Sequence, residues 1–183
     1  NPFDLEGTLM KASAEAVGFR IKLRETANPE GLRQIIEAED FRVIYMTRSN
    51  IIKQVVSSIR AIDLYRNSGV YNIPKYHASL EVPGAYPIPP ERFKEIFAWL
   101  DQASKRLDDF IDSLQANVFH LTYERLISNM EEAVKDVCAF LDVPSAPFET
   151  KTRKITHDDL SHCISNYEEL RSLYHHTPYY DMF

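Results

Sequence analysis

Glycine is scarce in this sequence: Gly7, Gly18, Gly31, Gly69 and Gly84 are the only five in 183 residues, and they are scattered singly. That scatter excludes a glycine-rich phosphate loop within the chain, and no GxxxxGK[ST] stretch occurs. Cysteine is scarcer. Cys138 and Cys163 are too few for a disulfide framework, belong to no CxxC-type metal motif and, in helix-like stretches, read as buried free thiols. There is no apolar run of transmembrane length and no signal-peptide pattern. These absences together favour a reducing, cytoplasmic compartment. Positive charge is not in excess either: 21 Lys and Arg against 27 Asp and Glu give a net charge of −6, which argues against a general nucleic-acid binder with a basic face. A local cluster of Arg and Lys can still hold a small anion.

What is present suits one domain spanning 1–183, long enough to bury a core, with 44% hydrophobic and 26% charged residues. Helical spacing of Leu5, Leu9, Ala12 and Ala16 predicts a helix over 4–17, stopped at Gly18. FRIKLRE, residues 19–25, alternates apolar and basic and predicts a strand. NPEGLRQIIEAED predicts a short helix with Pro29 in its first turn. Residues 41–46 carry few polar positions, as a parallel strand covered on both faces should, and a helix over 50–65 follows. Residues 66–90 hold Gly69, Gly84 and five prolines; an irregular stretch of that length is usually a functional lid or a mobile loop. A helix is predicted over 91–114 and a third strand over 117–124. SNMEEAVKDVCAFLDVP predicts another helix, with Ser128 and Glu131 at capping-box spacing and Pro144 beyond its end. A basic loop, KTRKITHDD, leads to a last helix over 158–173. Strands alternating with helices point to an α/β three-layer sandwich with a parallel sheet, in which ligands gather at the carboxyl ends of the strands.

RVIYMTRSNIIKQVVSSIRA puts Arg48 at such an end. In the helix that follows, Ile52, Val55, Val56, Ile59 and Ile62 share one side, predicted to pack on the sheet, while Asn50, Lys53, Ser57 and Arg60 form a separate polar stripe. Ser49 or Asn50 can cap the helix and leave backbone N–H groups pointing at the strand end. Those donors, the Arg48 guanidinium and a hydroxyl on the stripe are the groups that would converge on a phosphate. A solvated helix face is the plainer reading of the same stripe.

This stretch resembles the 3′-phosphate-binding segment of sulfotransferases that use 3′-phosphoadenosine 5′-phosphosulfate (PAPS). In that family an arginine ending a strand and a serine in the next helix grip the donor's 3′-phosphate, and Arg48 and Ser57 match those positions. Ser57 lies nine positions after Arg48, as in many bacterial carbohydrate-type members, with Ser58 and Ser49 as alternative hydroxyls. LTYERLISNMEEAVKDVCAFLDVP resembles the family's strand, Tyr-Glu pair and helix ending in Phe-Leu-x-Val-Pro, which implies that Tyr123 lies against the adenine; by itself Tyr123 reads as a half-buried tyrosine with a satisfied hydroxyl. KTRKITHDDLSHCISNYEELRSLYHHTPYYDMF resembles the C-terminal part of the bacterial branch, whose basic loop closes over the nucleotide phosphate. That implies roles for Arg153 and Lys154, against the plainer reading of a solvated loop. The implied fold is P-loop-like and the implied donor is PAPS, with no metal and a small-molecule or glycan acceptor.

The family's other half-site, a strand and loop cradling the 5′-phosphosulfate, matches nothing in the chain. NPFDLEG carries no initiator Met, and the resemblance predicts that this strand and loop precede it. Sulfuryl transfer to an acceptor hydroxyl or amine needs a base near the acceptor and positive charge near the bridging oxygen. The family's base is often a glutamate soon after that loop, so no catalytic base is assigned. Lys22 and His77 are weaker candidates for reaction-centre or acceptor contacts, with a surface lysine the plainer reading of Lys22. His175-His176 reads as solvated rather than metal-binding. Two alternatives stay open: a nucleotide kinase or NTPase of related fold, which would require Mg²⁺, and a non-catalytic binding module that keeps the fold.

Overall fold

The structure, a computed structural model, describes residues 16–75 and 84–183, apart from the Arg153 side chain. Most of the helix predicted over 4–17 and the acceptor candidate His77 lie outside the described residues. The strand predicted at 19–25 does not form. Residues 16–22 have no regular structure and Leu23–Glu25 is a 3-10 turn, closed by the Glu25 amide on the Lys22 carbonyl at 2.9 Å and by the Lys22–Glu25 ion pair at 3.0 Å. Alternation makes a strand only where a neighbour takes its backbone groups, and none of the described strands pairs with this segment.

Helix α1 (Pro29–Ala38) starts as predicted, with Pro29 in the first turn and the Asn28 side chain accepting from the Gly31 amide at 2.9 Å. Strand β1 (Val43–Thr47) leads through Asn50, whose side chain accepts from the Lys53 amide, into α2 (Ile51–Ser68). Helix α2 ends where Gly69 adopts φ 75 and returns its amide to the Tyr65 carbonyl at 2.8 Å. A two-residue strand β2 (Ile73–Pro74) and helix α3 (Pro90–Asp112) complete the crossover to β3 (Val118–Thr122). β1 and β3 pair in parallel, Val43 opposite Val118 through Thr47 opposite Thr122, so both strands end at the same side of the molecule. Among the described residues this parallel sheet is two strands wide.

Thr122 caps α4 (Tyr123–Ser128) and Asn129 caps α5 (Met130–Leu141). The capping pair predicted at Ser128 and Glu131 is thus displaced by one residue, to Asn129 and Glu132, because Ser128 still belongs to α4 and bonds the Arg125 carbonyl. β4 (Thr152–Arg153) pairs antiparallel with β2. The predicted last helix is interrupted: a 3-10 turn at Leu160–His162 is followed by α6 (Tyr167–Ser172). The break falls where Asn166 turns its side chain to Ile88, accepting from its amide at 2.9 Å and donating to its carbonyl at 3.0 Å. Of the two cysteines, Cys163 is buried, as predicted, and Cys138 is partly exposed.

The main core also differs from the prediction. Ile52, Val55, Val56 and Ile59 of α2 are fully buried, but against Phe93 and Leu100 of α3 and Leu160, Ile164, Leu170 and Tyr174 of the C-terminal segment, and no sheet residue belongs to that cluster. The sheet positions are comparatively bare, with Ile44 at 38% and Met46 at 49% exposure. An apolar stripe packs against the largest apolar surface available, and here α3 and the aromatic-rich C-terminal segment present more of it than two short strands do. A separate cluster of Leu64, Ile73 and Ile155 fastens the β2–β4 ladder to α2.

Candidate functional site

Both parallel strands deliver their next residues to one place: Arg48 follows β1 and Tyr123 follows β3. The Arg48 guanidinium carbon lies 4.6 Å from the centre of the Tyr123 ring, a cation–π contact. Arg48 and Tyr123 line a cavity of about 400 Å³ with Thr47, Lys22, Arg24, Gln54 and Ser104 among its other walls. Lys22 lines this cavity, with its amino group held by Glu25 at 3.0 Å. Thr47 is bonded in turn to the His120 ring at 2.7 Å across the sheet.

Glu124, which sequence reasoning passed over, organises the turn after β1. Its carboxylate accepts from the Ser49 amide at 3.0 Å and the Asn50 amide at 3.3 Å, and it stands 4.0 Å from Arg48 Nε. Burial works to raise the Glu124 carboxyl, and the hydrogen bonds from the Ser49 and Asn50 backbone outweigh it, leaving it below the ordinary carboxylate range. The two amides nearest Arg48, predicted as free donors for an anion, are thus already occupied. The signal was in the sequence: β1 and β3 were both legible, and a residue just past one parallel strand reaches the turn past the other.

Arg48 itself is poorly satisfied. Its side chain is 15% exposed, and its Nε is buried without a hydrogen bond. Burial pulls its pKa down against the opposing influence of Tyr123, Glu124 and Asp158, though a guanidinium stays charged at any physiological pH. A buried guanidinium nitrogen with spare donor capacity, beside an aromatic face, is suited to an anionic group attached to a planar ring.

The polar stripe of α2 is not a solvated face. Arg60 is 2% exposed and donates to the Ile155 and Cys163 carbonyls, each at 3.1 Å, so the C-terminal segment covers that side. Ser57 is half-buried on the stripe between Lys53 and Arg60. At the other end, Lys154 pairs with Asp158, whose carboxyl is held low first by Lys154 and further by Lys53 and His157. Asp158 also acts on Arg48. Asp158 thus contacts Lys154 and feels the charges of Lys53 and Arg48 at longer range. Of the sequence candidates, the fold brings Arg48 and Tyr123 into contact, while Lys154 is held by Asp158 and Ser57 stands on α2, with neither in contact with Arg48; the Arg153 side chain lies outside the described residues. His175 and His176 pack ring to ring at 4.5 Å, and among the described residues no three or more His, Cys, Asp or Glu side chains are grouped to hold a metal ion. No described helix is long and apolar enough to cross a membrane.

Comparison with protein-family models, with curated proteins and with solved structures gives no match for this chain.

Proposed function

We propose that this chain is a sulfotransferase domain of P-loop-like α/β fold that binds PAPS and passes its sulfuryl group to an acceptor hydroxyl or amine, on a glycan or a lipid-linked group. The contact of Arg48 with Tyr123, 4.6 Å apart on the wall of one cavity, is the observation that carries this reading. A 3′-phosphoadenosine presents a dianion beside a flat ring, and a guanidinium lying on an aromatic face offers a partner to each. Arg48 would take the 3′-phosphate with a hydroxyl of Ser57, Tyr123 would stack on adenine, and Lys154 would leave Asp158 for the nucleotide phosphate. Arg153 is the second basic candidate of that loop.

In the transfer, the acceptor oxygen or nitrogen forms a bond to sulfur as the bond from sulfur to the 5′-phosphate oxygen breaks. The electron pair leaves with the nucleotide, and the acceptor proton goes to a base. With Arg48 engaged by the 3′-phosphate, Lys22 and Arg24 on the wall of the same cavity are the cations that would favour the charge that builds on the departing 5′-phosphate.

Calorimetric titration with 3′-phosphoadenosine 5′-phosphate and, in parallel, with AMP tests this, both without added metal. The expected result is binding of the bisphosphate, little or none of AMP, and a loss of about a hundredfold on Arg48→Ala. Equal affinity for the two nucleotides, or binding that ignores Arg48→Ala, would overturn the reading. Binding that requires Mg²⁺ would instead favour a kinase or NTPase.

A further inference from the structure

Arg60 is buried to 2% exposure in the middle of an apolar cluster, with Val56 and Ile59 beside it at 0%. Burying a guanidinium is costly unless its donors are used. Arg60 Nε donates to the Ile155 carbonyl, and one terminal nitrogen donates to the Gly84 and Cys163 carbonyls, all at 3.1 Å. The guanidinium also lies 5.3 Å from the centre of the Tyr86 ring. None of these acceptors belongs to a long element of regular structure. Ile155 and Cys163 flank the turn that carries Asp158, and Gly84 opens the segment leading into α3. The same two segments touch once more at the Tyr86–Ile164 bridge, where the Ser165 amide donates to the Tyr86 carbonyl at 3.2 Å.

The carbonyl held by Arg60 Nε is that of the residue next to Lys154. Fixing it fixes the base from which Lys154 projects, while Asp158, between the Ile155 and Cys163 anchors in sequence, sits in the field of Lys53 and Arg48. We infer that Arg60 is a positioning residue: it holds the Lys154 loop against the Lys53–Ser57 side of α2 and fastens the segment at Gly84 to the same point. On the PAPS reading, on which this inference rests, the loop that grips the nucleotide and the end of the proline-rich stretch at Gly84 move as one piece.

The test is a double-mutant cycle on affinity for 3′-phosphoadenosine 5′-phosphate, using Arg60→Lys, Lys154→Ala and the pair, with the thermal midpoint of each followed in parallel. Arg60→Lys keeps the charge but cannot span three carbonyls in a planar fork. If Arg60 acts through Lys154, each single change weakens binding about tenfold and the pair is within about twofold of Lys154→Ala alone. Losses that multiply in the pair, or a lowered midpoint with affinity intact, would make Arg60 merely structural and overturn the inference. A measurement on the unaltered chain guards against a variant that fails to fold: saturating nucleotide should slow amide hydrogen exchange at 84–88 together with 154–163. Protection confined to 154–163 would overturn the coupling. If the unaltered chain binds no bisphosphate, the PAPS reading falls. Exchange at 154–158 in Arg60→Lys then decides the anchor separately, and unchanged rates there would remove it too.

Discussion

Arg48 and Tyr123 are 75 positions apart in sequence, yet the Arg48 guanidinium rests 4.6 Å from the centre of the Tyr123 ring. The parallel register is the cause. Thr47 lies opposite Thr122, so the residue after each is thrown off the same end of the sheet. A cation on one strand end and an aromatic ring on the next is a pair that sheet pairing alone brings together.

If PAPS is the donor as proposed, that geometry predicts that the ring face, not the hydroxyl, is the working part of Tyr123. Tyr123→Ala should weaken binding of 3′-phosphoadenosine 5′-phosphate about tenfold, the order of one lost stacking or cation–π contact, while Tyr123→Phe stays within about twofold of the unaltered chain. Calorimetry on the three proteins measures this. A Phe variant as weak as the Ala variant would shift the role to the hydroxyl.

The location of the core gives a stability prediction. Phe93 is fully buried and packs against Tyr174 and Phe183, at centroid distances of 5.8 Å each. Phe93→Ala should cost about 3–5 kcal/mol in urea unfolding. Met46→Ala, at a strand position 49% exposed, should cost less than about 1 kcal/mol. If the two losses came out alike, the α2 stripe would pack on the sheet after all.

Much of this was open to reading from the sequence. β1, β3 and helices α1 to α3 announce themselves through periodicity and, for α1 and α2, Pro29 and Asn50 at their starts, because those signals are local, whereas Gly69, which ends α2, read only as part of the irregular stretch. What failed was non-local. FRIKLRE has the alternation of a strand but no neighbour to pair with among the described residues, and the α2 stripe has the right spacing to pack on something without saying on what. Arg60 read as one more polar position, since nothing within α2 announces three carbonyls arriving from Gly84, Ile155 and Cys163. Arg48 and Tyr123 could be named, but their contact depends on a strand register that alternation does not encode.

Gly69 offers a backbone prediction. It closes α2 at φ 75, in the left-handed region that L residues avoid, although nothing lies within 4 Å of where a Cβ would sit. Gly69→Ala should therefore lower stability by about 1 kcal/mol through backbone strain alone, and Gly69→Asn by less. Thermal unfolding of the two variants distinguishes strain from crowding: a crowded site would make the larger Asn the worse of the pair.

Glu124 gives the pH prediction. Its carboxylate takes the Ser49 and Asn50 amides at 3.0 and 3.3 Å and so fixes the turn from which Arg48 projects. Its pKa is lowered in the folded chain relative to the ordinary 4.5, because the backbone hydrogen bonds outweigh the opposing effect of burial. A group depressed on folding stabilises the native state above its unfolded pKa, and the contribution drains away as pH falls through the lower native value. With the side chain 39% exposed, solvent screens part of it. Glu124→Gln should thus cost about 1 kcal/mol at neutral pH, and the difference from the unaltered chain should shrink as pH drops from about 5 to about 3. Urea unfolding of both proteins across that range is the measurement. A difference that stays constant with pH would mean that the amides bond an oxygen irrespective of its charge. In that case Glu124→Gln would also leave nucleotide affinity intact, since the turn holding Arg48 would keep its shape.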